Sequence, residues 1–177
     1  MLTNKETVGR VLFTEEMIRQ RAHELGEQIS RDYAGEPLVL LCTLKGSVVW
    51  MGDLMKEITI DTEIDFISAS SYGSSTSSSG VVKISKDVKM DLFQKNVLIV
   101  EDIVDTGNTL AFMRDYLKER NPKSVKICTM LDKPSRRTAD VVPDYIGFTV
   151  DDLFIIGYGL DFDQKYRNLP YVSYLDH

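Results

Sequence analysis

Apolar residues recur along the chain with two spacings, one typical of helices and one typical of buried strands. After Thr14, whose hydroxyl can cap a helix, the apolar positions follow helical spacing at Ile18, Ala22, Leu25 and Ile29. Residues 38–44 then form a nearly continuous apolar run of strand length, which is typical of a parallel strand buried on both faces. The pattern predicts an amphipathic helix followed by a central strand.

Strands and helices alternate along the rest of the chain. Ser47 can cap a second helix, and a third helix is predicted at about residues 108–120, ending before Pro122. Further strands are predicted, in chain order, at residues 62–70, 97–100, 124–131, 148–150, 153–158 and 171–175. Repeated strand-helix-strand units predict an α/β fold, with a parallel sheet flanked by helices.

One segment between the predicted strands is too polar to pack. Residues 70–80 read SSYGSSTSSSG, a composition typical of a slack chain. A loop of this length is either a functional lid or a plain surface connection, and the composition alone fits both. We expect the segment to be mobile.

Composition narrows the class of protein. The 177 residues fit one domain, and 27 acidic against 21 basic residues give a formal net charge of −6, which disfavours binding to nucleic acid or to an anionic membrane. Cys42 and Cys128 both lie in apolar runs, as buried free thiols of a reducing compartment do. Neither a signal peptide nor a run of roughly 18 apolar residues for a membrane span is recognisable. We therefore expect a cytoplasmic protein.

The strongest candidate for chemistry is the segment 97–110, which reads VLIVEDIVDTGNTL. Its apolar strand leads into Glu101, Asp102 and Asp105, and ligands bind at the carboxyl ends of strands in open α/β sheets. Carboxylates there suit the hydroxyl groups of a ribose and the water shell of magnesium. The alternative is that they are solvated acids at the end of a strand.

The turn at residues 106–109, Thr-Gly-Asn-Thr, has the features of a phosphate-binding turn. Gly107 permits a tight turn, and successive N–H groups at a helix N-terminus form a nest for an anion. The acids and the turn together predict a site for a sugar with a phosphate at one end and a metal-bound group at the other. A triphosphate P-loop is excluded because no GxxxxGK[ST] motif occurs.

Segment 97–110 closely resembles the phosphoribosyl pyrophosphate signature of the type I phosphoribosyltransferases. Other stretches resemble the hypoxanthine-guanine branch of that family: LKG at 44–46, SSYG at 70–73, LDK at 131–133 and DLFIIGYGLDFDQKYRNLP at 152–170. The resemblance implies a purine salvage enzyme that transfers the 5-phosphoribosyl group from phosphoribosyl pyrophosphate to N9 of hypoxanthine or guanine, giving IMP or GMP and pyrophosphate.

The family's fold and assembly are implied as well. The resemblance implies a Rossmann-like parallel sheet in a single domain over residues 1–177, with a small hood formed by the N-terminal segment and about residues 133–177. It places a flexible lid at about residues 70–82. It also implies a homodimer or a homotetramer.

The resemblance gives each matching residue a role, with Asp105 as the general base that removes the N7 proton. Residues implied to bind phosphoribosyl pyrophosphate or nucleotide are Lys45, Gly46, Glu101, Asp102, Asp105, Thr106, Gly107, Asn108, Thr109 and Arg167. Those implied to bind the purine are Lys133, Phe154, Ile155 and Asp161. The implied cofactor is Mg2+, with the ligands Glu101, Asp102 and Asp161, and the lid carries Ser71 and Tyr72.

Several of these roles have a chemical rationale. The three donors of Lys133 suit the O6 carbonyl of a 6-oxopurine, whereas adenine offers an amino group there. The planar fork of Arg167 suits pyrophosphate. The family's pyrophosphate loop implies an unusual peptide geometry at Lys45 and Gly46, and Asn108 stands where some relatives carry Lys.

Two other functions stay open at this point. The first is a phosphoribosyltransferase that prefers xanthine, because the group at purine C2 is read mainly by backbone atoms. The second is a regulator that senses phosphoribosyl pyrophosphate and binds nucleic acid. Such a regulator is expected to carry a basic face, which the acidic composition disfavours.

Overall fold

The computed structural model describes residues 7–72 and 81–176. Its α-helices are α1 (Glu15–Asp32), α2 (Val48–Glu57) and α3 (Asn108–Lys118), and a single-turn 3-10 helix covers Pro134–Arg136. Its strands are β1 (Thr7–Val8), β2 (Leu38–Thr43), β3 (Thr62–Tyr72), β4 (Val81–Lys86), β5 (Asn96–Val104), β6 (Ser124–Asp132), β7 (Tyr145–Thr149), β8 (Ile155–Ile156) and β9 (Ser173–Asp176). Most of the predicted lid lies outside the described residues.

A six-stranded sheet forms the centre of the molecule. Its strand order is β4-β3-β2-β5-β6-β7, and every pair from β3 to β7 is parallel. The prediction of a parallel sheet with β2 inside it is confirmed. β4 is the exception, because it pairs antiparallel with β3, which runs past the predicted end at residue 70 to bring Tyr72 opposite Val81.

Helices cover both faces of this sheet, which explains the continuous apolar run of β2. Leu38, Leu40 and Cys42 point into a core shared with α1 and α2. The alternate residues Val39 and Leu41 point to the opposite face, into a core shared with α3. Since successive residues of a strand face opposite sides, a strand covered on both sides needs apolar residues throughout.

The two predicted helix caps have different outcomes. Thr14 Oγ1 accepts a hydrogen bond from Met17 N at 3.2 Å, which confirms the cap of α1. Ser47 occupies the corresponding position of α2 but makes no capping bond, so that prediction was wrong. The hydroxyl of Ser47 is completely buried and forms hydrogen bonds with Thr43 instead. It lies 2.7 Å from Thr43 Oγ1, and it also donates to the carbonyl oxygen of Thr43.

A second, three-stranded sheet lies beside the first and is built from both ends of the chain. Its order is β1-β9-β8, and all pairs are antiparallel. We call it the terminal sheet. The predicted strand 153–158 shortens to two residues because Gly157 begins a run of positive φ values, which extended strands do not adopt. The described helices are too short or too polar to cross a membrane.

Candidate active site

Glu101 and Asp102 lie side by side at the carboxyl end of β5. Glu101 Oε1 accepts hydrogen bonds from Thr43 Oγ1 at 2.8 Å and from Asp102 N at 3.0 Å. Burial raises the pKa of both carboxyl groups, and the neighbouring charge of Asp102 raises the pKa of Glu101 further. The folded chain thus holds two acids together where their negative charges are poorly solvated.

A divalent cation fits this pair of acids. Its charge would offset the repulsion between the two carboxylates, and their oxygen atoms are the ligands that magnesium prefers. Within residues 7–72 and 81–176, no three acidic, histidine or cysteine side chains gather in a metal-binding arrangement. The other ligands of a magnesium ion here would therefore be water and substrate oxygens.

The turn after β2 packs directly against these acids. Gly46 has no room for a side chain, because a Cβ atom would collide with Asp102 Oδ2. On its other side the carbonyl oxygen of Gly46 touches Gly159, which also could not carry a Cβ. The peptide bond between Leu44 and Lys45 is cis, an unusual geometry at the start of this turn, and the side chain of Lys45 is exposed.

Arg167 and Asp161 lie in the chain between β8 and β9 and form an ion pair. Arg167 Nη2 lies 2.8 Å from Asp161 Oδ1, and Nη1 donates to Gly159 O at 2.8 Å. The charge of Arg167 also lowers the pKa of Asp102, against the larger effect of burial. Arg167 Nε is buried and has no hydrogen-bond partner within the described part of the chain. Arg167 therefore has one unsatisfied donor beside the site.

The turn between β5 and α3 encloses a cavity of about 130 Å³. Gly107 caps α3 with φ at 81°, the left-handed conformation that favours glycine. Thr106 O accepts hydrogen bonds from Thr138 N and Ala139 N at 3.0 and 3.1 Å, so a neighbouring segment braces the turn. The residues that line this cavity are Glu101, Ile103, Val104, Asp105, Thr106, Gly107, Thr109 and Leu110. Asn108 is exposed at the start of α3.

Lys133 follows β6 at the same edge of the sheet and is only 6% exposed. Lys133 N donates to Val104 O at 2.9 Å, and its ammonium group donates to Leu153 O at 2.5 Å. Lys133 is therefore not an unconstrained surface lysine. The short link to Val104 places Lys133 beside the loop that carries Asp105.

Phe154 and Ile155 differ in exposure although they are neighbours. Phe154 is 43% exposed, and its ring meets Phe162 edge to face at 5.4 Å. Ile155 is buried in β8, as expected of a core strand residue. An exposed aromatic face at the edge of the site can stack on a flat ligand. The backbone of Ser71 and Tyr72 continues β3, and the rest of the predicted lid lies outside the described residues.

Three residues of the site were missed by sequence reasoning. Arg136 Nε lies 3.2 Å from Asp105 Oδ1, and Arg137 Nε donates to Asp105 O at 3.1 Å. Thr43 supports Glu101 from the adjacent strand. The consecutive arginines in KPSRR, just beyond a predicted strand end, were the available signal for the first two. Nothing local in the sequence distinguishes Thr43 from a core strand residue.

Comparison with known proteins identifies the class to which this fold and site belong. Residues 12–163 match the phosphoribosyl transferase domain family. The chain therefore belongs to this family, which confirms the resemblance drawn from segment 97–110.

Particular relatives are similar over nearly their whole length. The chain is 47% identical to the hypoxanthine-guanine phosphoribosyltransferase of Streptococcus thermophilus, over 97% of this chain and 95% of the relative. It is 49% identical to the hypoxanthine phosphoribosyltransferase of Escherichia coli K12, over 96% of both chains. The crystal structure of a Staphylococcus aureus hypoxanthine phosphoribosyltransferase superposes with a TM-score of 0.92 at 46% identity, covering 96% of this chain and 92% of that one. These similarities confirm the predicted fold class.

Proposed function

We propose that this protein is a purine salvage enzyme that transfers the 5-phosphoribosyl group from phosphoribosyl pyrophosphate to N9 of hypoxanthine or guanine. The products are IMP or GMP and pyrophosphate. The similar enzymes from Streptococcus thermophilus and Escherichia coli support this assignment through their names and their nearly full-length match.

The observation that carries the proposal is the juxtaposition of a donor and an acceptor at one edge of the sheet. The buried ammonium group of Lys133 is a donor, and the carboxylate of Asp105, the first residue after β5, is an acceptor. A 6-oxopurine whose N7 carries a proton presents the complementary pair, an O6 acceptor next to an N7 donor. Adenine would place an amino group opposite the ammonium group, so two donors would face each other. The buried ammonium group would then lack an acceptor, which disfavours adenine strongly.

The proposed reaction is a displacement at the anomeric carbon with Asp105 as the proton acceptor. The bond from purine N9 to the anomeric carbon forms as the bond from that carbon to pyrophosphate breaks, and Asp105 accepts the N7 proton. The sugar passes through an oxocarbenium-like state, whose positive charge a nearby carboxylate stabilises. Phe154 would stack on the base, backbone groups of Ile155 would face the edge of the base, and Asp161 would complete the purine-binding residues.

The remaining residues would hold the sugar and its phosphates. The Thr106, Gly107, Asn108 and Thr109 turn suits the 5′-phosphate, and Lys45, Gly46 and Arg167 suit pyrophosphate. Glu101 and Asp102 would face the ribose hydroxyls and one Mg2+ ion, and Asp161 would be a ligand of a second Mg2+ ion. Bound magnesium would neutralise charge on the departing pyrophosphate.

A spectrophotometric assay with hypoxanthine, guanine, xanthine and adenine, each with and without magnesium, tests the assignment. We expect turnover with hypoxanthine or guanine only when magnesium and phosphoribosyl pyrophosphate are both present. Asp105→Asn should lower kcat by about 10²- to 10⁴-fold, the usual contribution of a positioned general base.

Asp115→Asn is the matched control, because Asp115 is an exposed acid on α3 that pairs with Arg114. It should turn over like the wild type. Undiminished turnover in Asp105→Asn would refute the proton-transfer role. A clear preference for xanthine would replace the substrate while leaving the reaction class intact.

Location and assembly follow the same proposal. Cys42 and Cys128 are buried and unpaired, and burial raises the pKa of these thiols to about 11 and about 12. Such inert free thiols suit the cytoplasm. We expect a homodimer or a homotetramer, which light scattering of the purified protein distinguishes from a monomer.

A further inference from the structure

Arg136 bridges two acids at the mouth of the candidate active site. Its Nε lies 3.2 Å from Asp105 Oδ1, and its Nη1 lies 3.5 Å from Asp152 Oδ2. The other oxygen of Asp152 lies 3.9 Å from the ammonium nitrogen of Lys133. A chain of alternating charges therefore runs from Asp105 through Arg136 and Asp152 to Lys133, the two ends being the proposed proton acceptor and the proposed reader of O6.

The backbone around Arg136 is constrained, which limits where this side chain can lie. The 3-10 helix Pro134–Arg136 begins with proline, and Arg136 N donates to Lys133 O at 3.1 Å. Proline at the start of a helical turn restricts the backbone and so favours one arrangement of the turn. Arg137 then holds the carbonyl oxygen of Asp105 at 3.1 Å. The two consecutive arginines thus contact the same residue: Arg137 binds the backbone of Asp105, and Arg136 binds its side chain.

The Arg136 ion pair contributes little to folding. The side chains of Arg136 and Asp105 are 48% and 44% exposed, and exposed ion pairs have small effects on stability. Arg136 contacts only one oxygen of Asp105. Within the described residues, no hydrogen bond reaches Oδ2, which therefore stays open towards a ligand. This geometry suits orientation of the carboxylate better than it suits stabilisation of the fold.

We propose that Arg136 is a positioning residue for the reaction, acting through Asp105. By holding Oδ1, it turns Oδ2 towards the place where the purine N7 arrives, at a fixed spacing from Lys133. The inference rests on the proposed function, because it assumes that Asp105 accepts the purine proton. A general base acts only within hydrogen-bond distance of the proton that it removes. A carboxylate that samples several orientations is in that position for less of the time, so catalysis is slower.

A double-mutant cycle tests this coupling. We expect Arg136→Gln to lower kcat about fivefold while the KM for phosphoribosyl pyrophosphate stays within twofold, because the pyrophosphate and phosphate groups are held elsewhere. Arg136→Lys should recover part of the loss, since it restores the charge without the planar fork. In the Asp105→Asn background, adding Arg136→Gln should change kcat less than twofold, because the two residues act as one unit.

Arg31→Gln is the matched control, as Arg31 forms an exposed ion pair with Glu27 on α1. It should match the wild type, and all variants should keep their thermal unfolding midpoints. An unchanged kcat in Arg136→Gln, or an equal loss in both backgrounds, would overturn the inference while a slow Asp105→Asn still upheld the proton role. Full turnover by Asp105→Asn would overturn both together.

Discussion

At the scale of single residues, Gly107 carries a conformational constraint and a steric one together. Its φ of 81° is left-handed, and a Cβ atom there would lie 2.6 Å from Val141 Cγ1 and 2.8 Å from Arg137 Cδ. Gly107→Ala should lower the free energy of unfolding by about 1–3 kcal/mol, the cost of a left-handed non-glycine residue. It should also raise the KM for phosphoribosyl pyrophosphate, because the phosphate-binding turn must shift.

Gly35→Ala separates these two effects. Gly35 has a φ of 79°, but a Cβ atom there would meet nothing within 4 Å, and the residue follows α1 far from the turn. This control should lose stability without any change in KM. Urea denaturation and steady-state kinetics measure the two quantities. An equal rise of KM in both variants would show that lost stability, and not the turn, controls binding.

The buried pair of Arg137 and Asp132 shows why some site residues escape sequence reasoning. Their side chains are only 13% and 8% exposed, and Arg137 also donates to the backbone oxygens of Val104, Asp105 and Val141. An ion pair at this depth needs further hydrogen bonds of this kind to offset the loss of solvation. In the sequence, Arg137 is one of several charged residues in a polar stretch, and two of its four partners, Val104 and Asp105, lie 33 and 32 residues away.

At the scale of elements, Asp65 ties β3 to the segment that leads into β5. Burial alone would raise the pKa of Asp65, but hydrogen bonds from the N–H groups of Phe66, Met90 and Lys89 together lower it. A carboxyl group whose pKa is lowered by folding stabilises the protein above its unfolded pKa of about 3.9, and this stabilisation is lost as the pH falls through the folded pKa.

Asp65→Asn should therefore have an effect that depends on pH. At pH 7 we expect the free energy of unfolding to fall by about 1–3 kcal/mol, as for lost hydrogen bonds to a charged group. As the pH falls below the unfolded value of about 3.9 towards the lowered pKa of folded Asp65, the wild type becomes protonated too, so the difference between the two proteins should shrink. Urea denaturation at several pH values measures it. A constant difference from pH 7 to pH 3 would contradict the role of the charge.

Glu63→Gln is the control for this experiment. Glu63 also lies on β3, but its ion pair with Lys95 is exposed. Exposed pairs contribute about 0–1 kcal/mol, so this variant should stay close to the wild type throughout.

The elements that the sequence predicts well are those whose pattern is local. The start of α1 and both ends of β2 were placed within one residue, because an amphipathic stripe and an apolar run each reflect burial directly. β5 continues four residues past its predicted end because its ladder with β6 extends through Glu101 to Val104. β4 was not assigned, since its polar alternation makes sense only once β3 is its partner.

At the scale of the whole molecule, the candidate site lies where the two sheets meet. Gly46 follows β2 of the six-stranded sheet, whereas Gly159 follows β8 of the terminal sheet, and their close approach joins the two at the site. Phe13 and Phe148 stack at 4.1 Å and connect the same layers elsewhere. A substrate held by Lys45 and Arg167 would therefore bind both sheets at once and stabilise the molecule as a unit.

The two buried carboxyl groups of Glu101 and Asp102 are predicted to lower the stability of the empty protein while contributing to ligand binding. Burial raises the pKa of both carboxyl groups, so the folded chain loses stability as the pH rises through the interval between their unfolded and folded values. At pH 8 without ligands, the double variant Glu101→Gln, Asp102→Asn should therefore be at least as stable as the wild type. Thermal unfolding of both proteins without magnesium measures this first difference.

Adding phosphoribosyl pyrophosphate with magnesium should reverse the order of stability. A ligand at 100 times its Kd stabilises the wild type by about 2.7 kcal/mol, and the double variant should lose most of this gain because its amides cannot balance a cation. Asp115→Asn, the exposed control on α3, keeps both acids and should retain the full ligand shift. If the double variant gained as much as the wild type, Glu101 and Asp102 would not contribute to the metal and ribose site. The expected result is that the wild type becomes the more stable protein only when both ligands are present. It would mean that the carboxylate pair lowers the stability of the empty protein and contributes to binding the metal and the ribose.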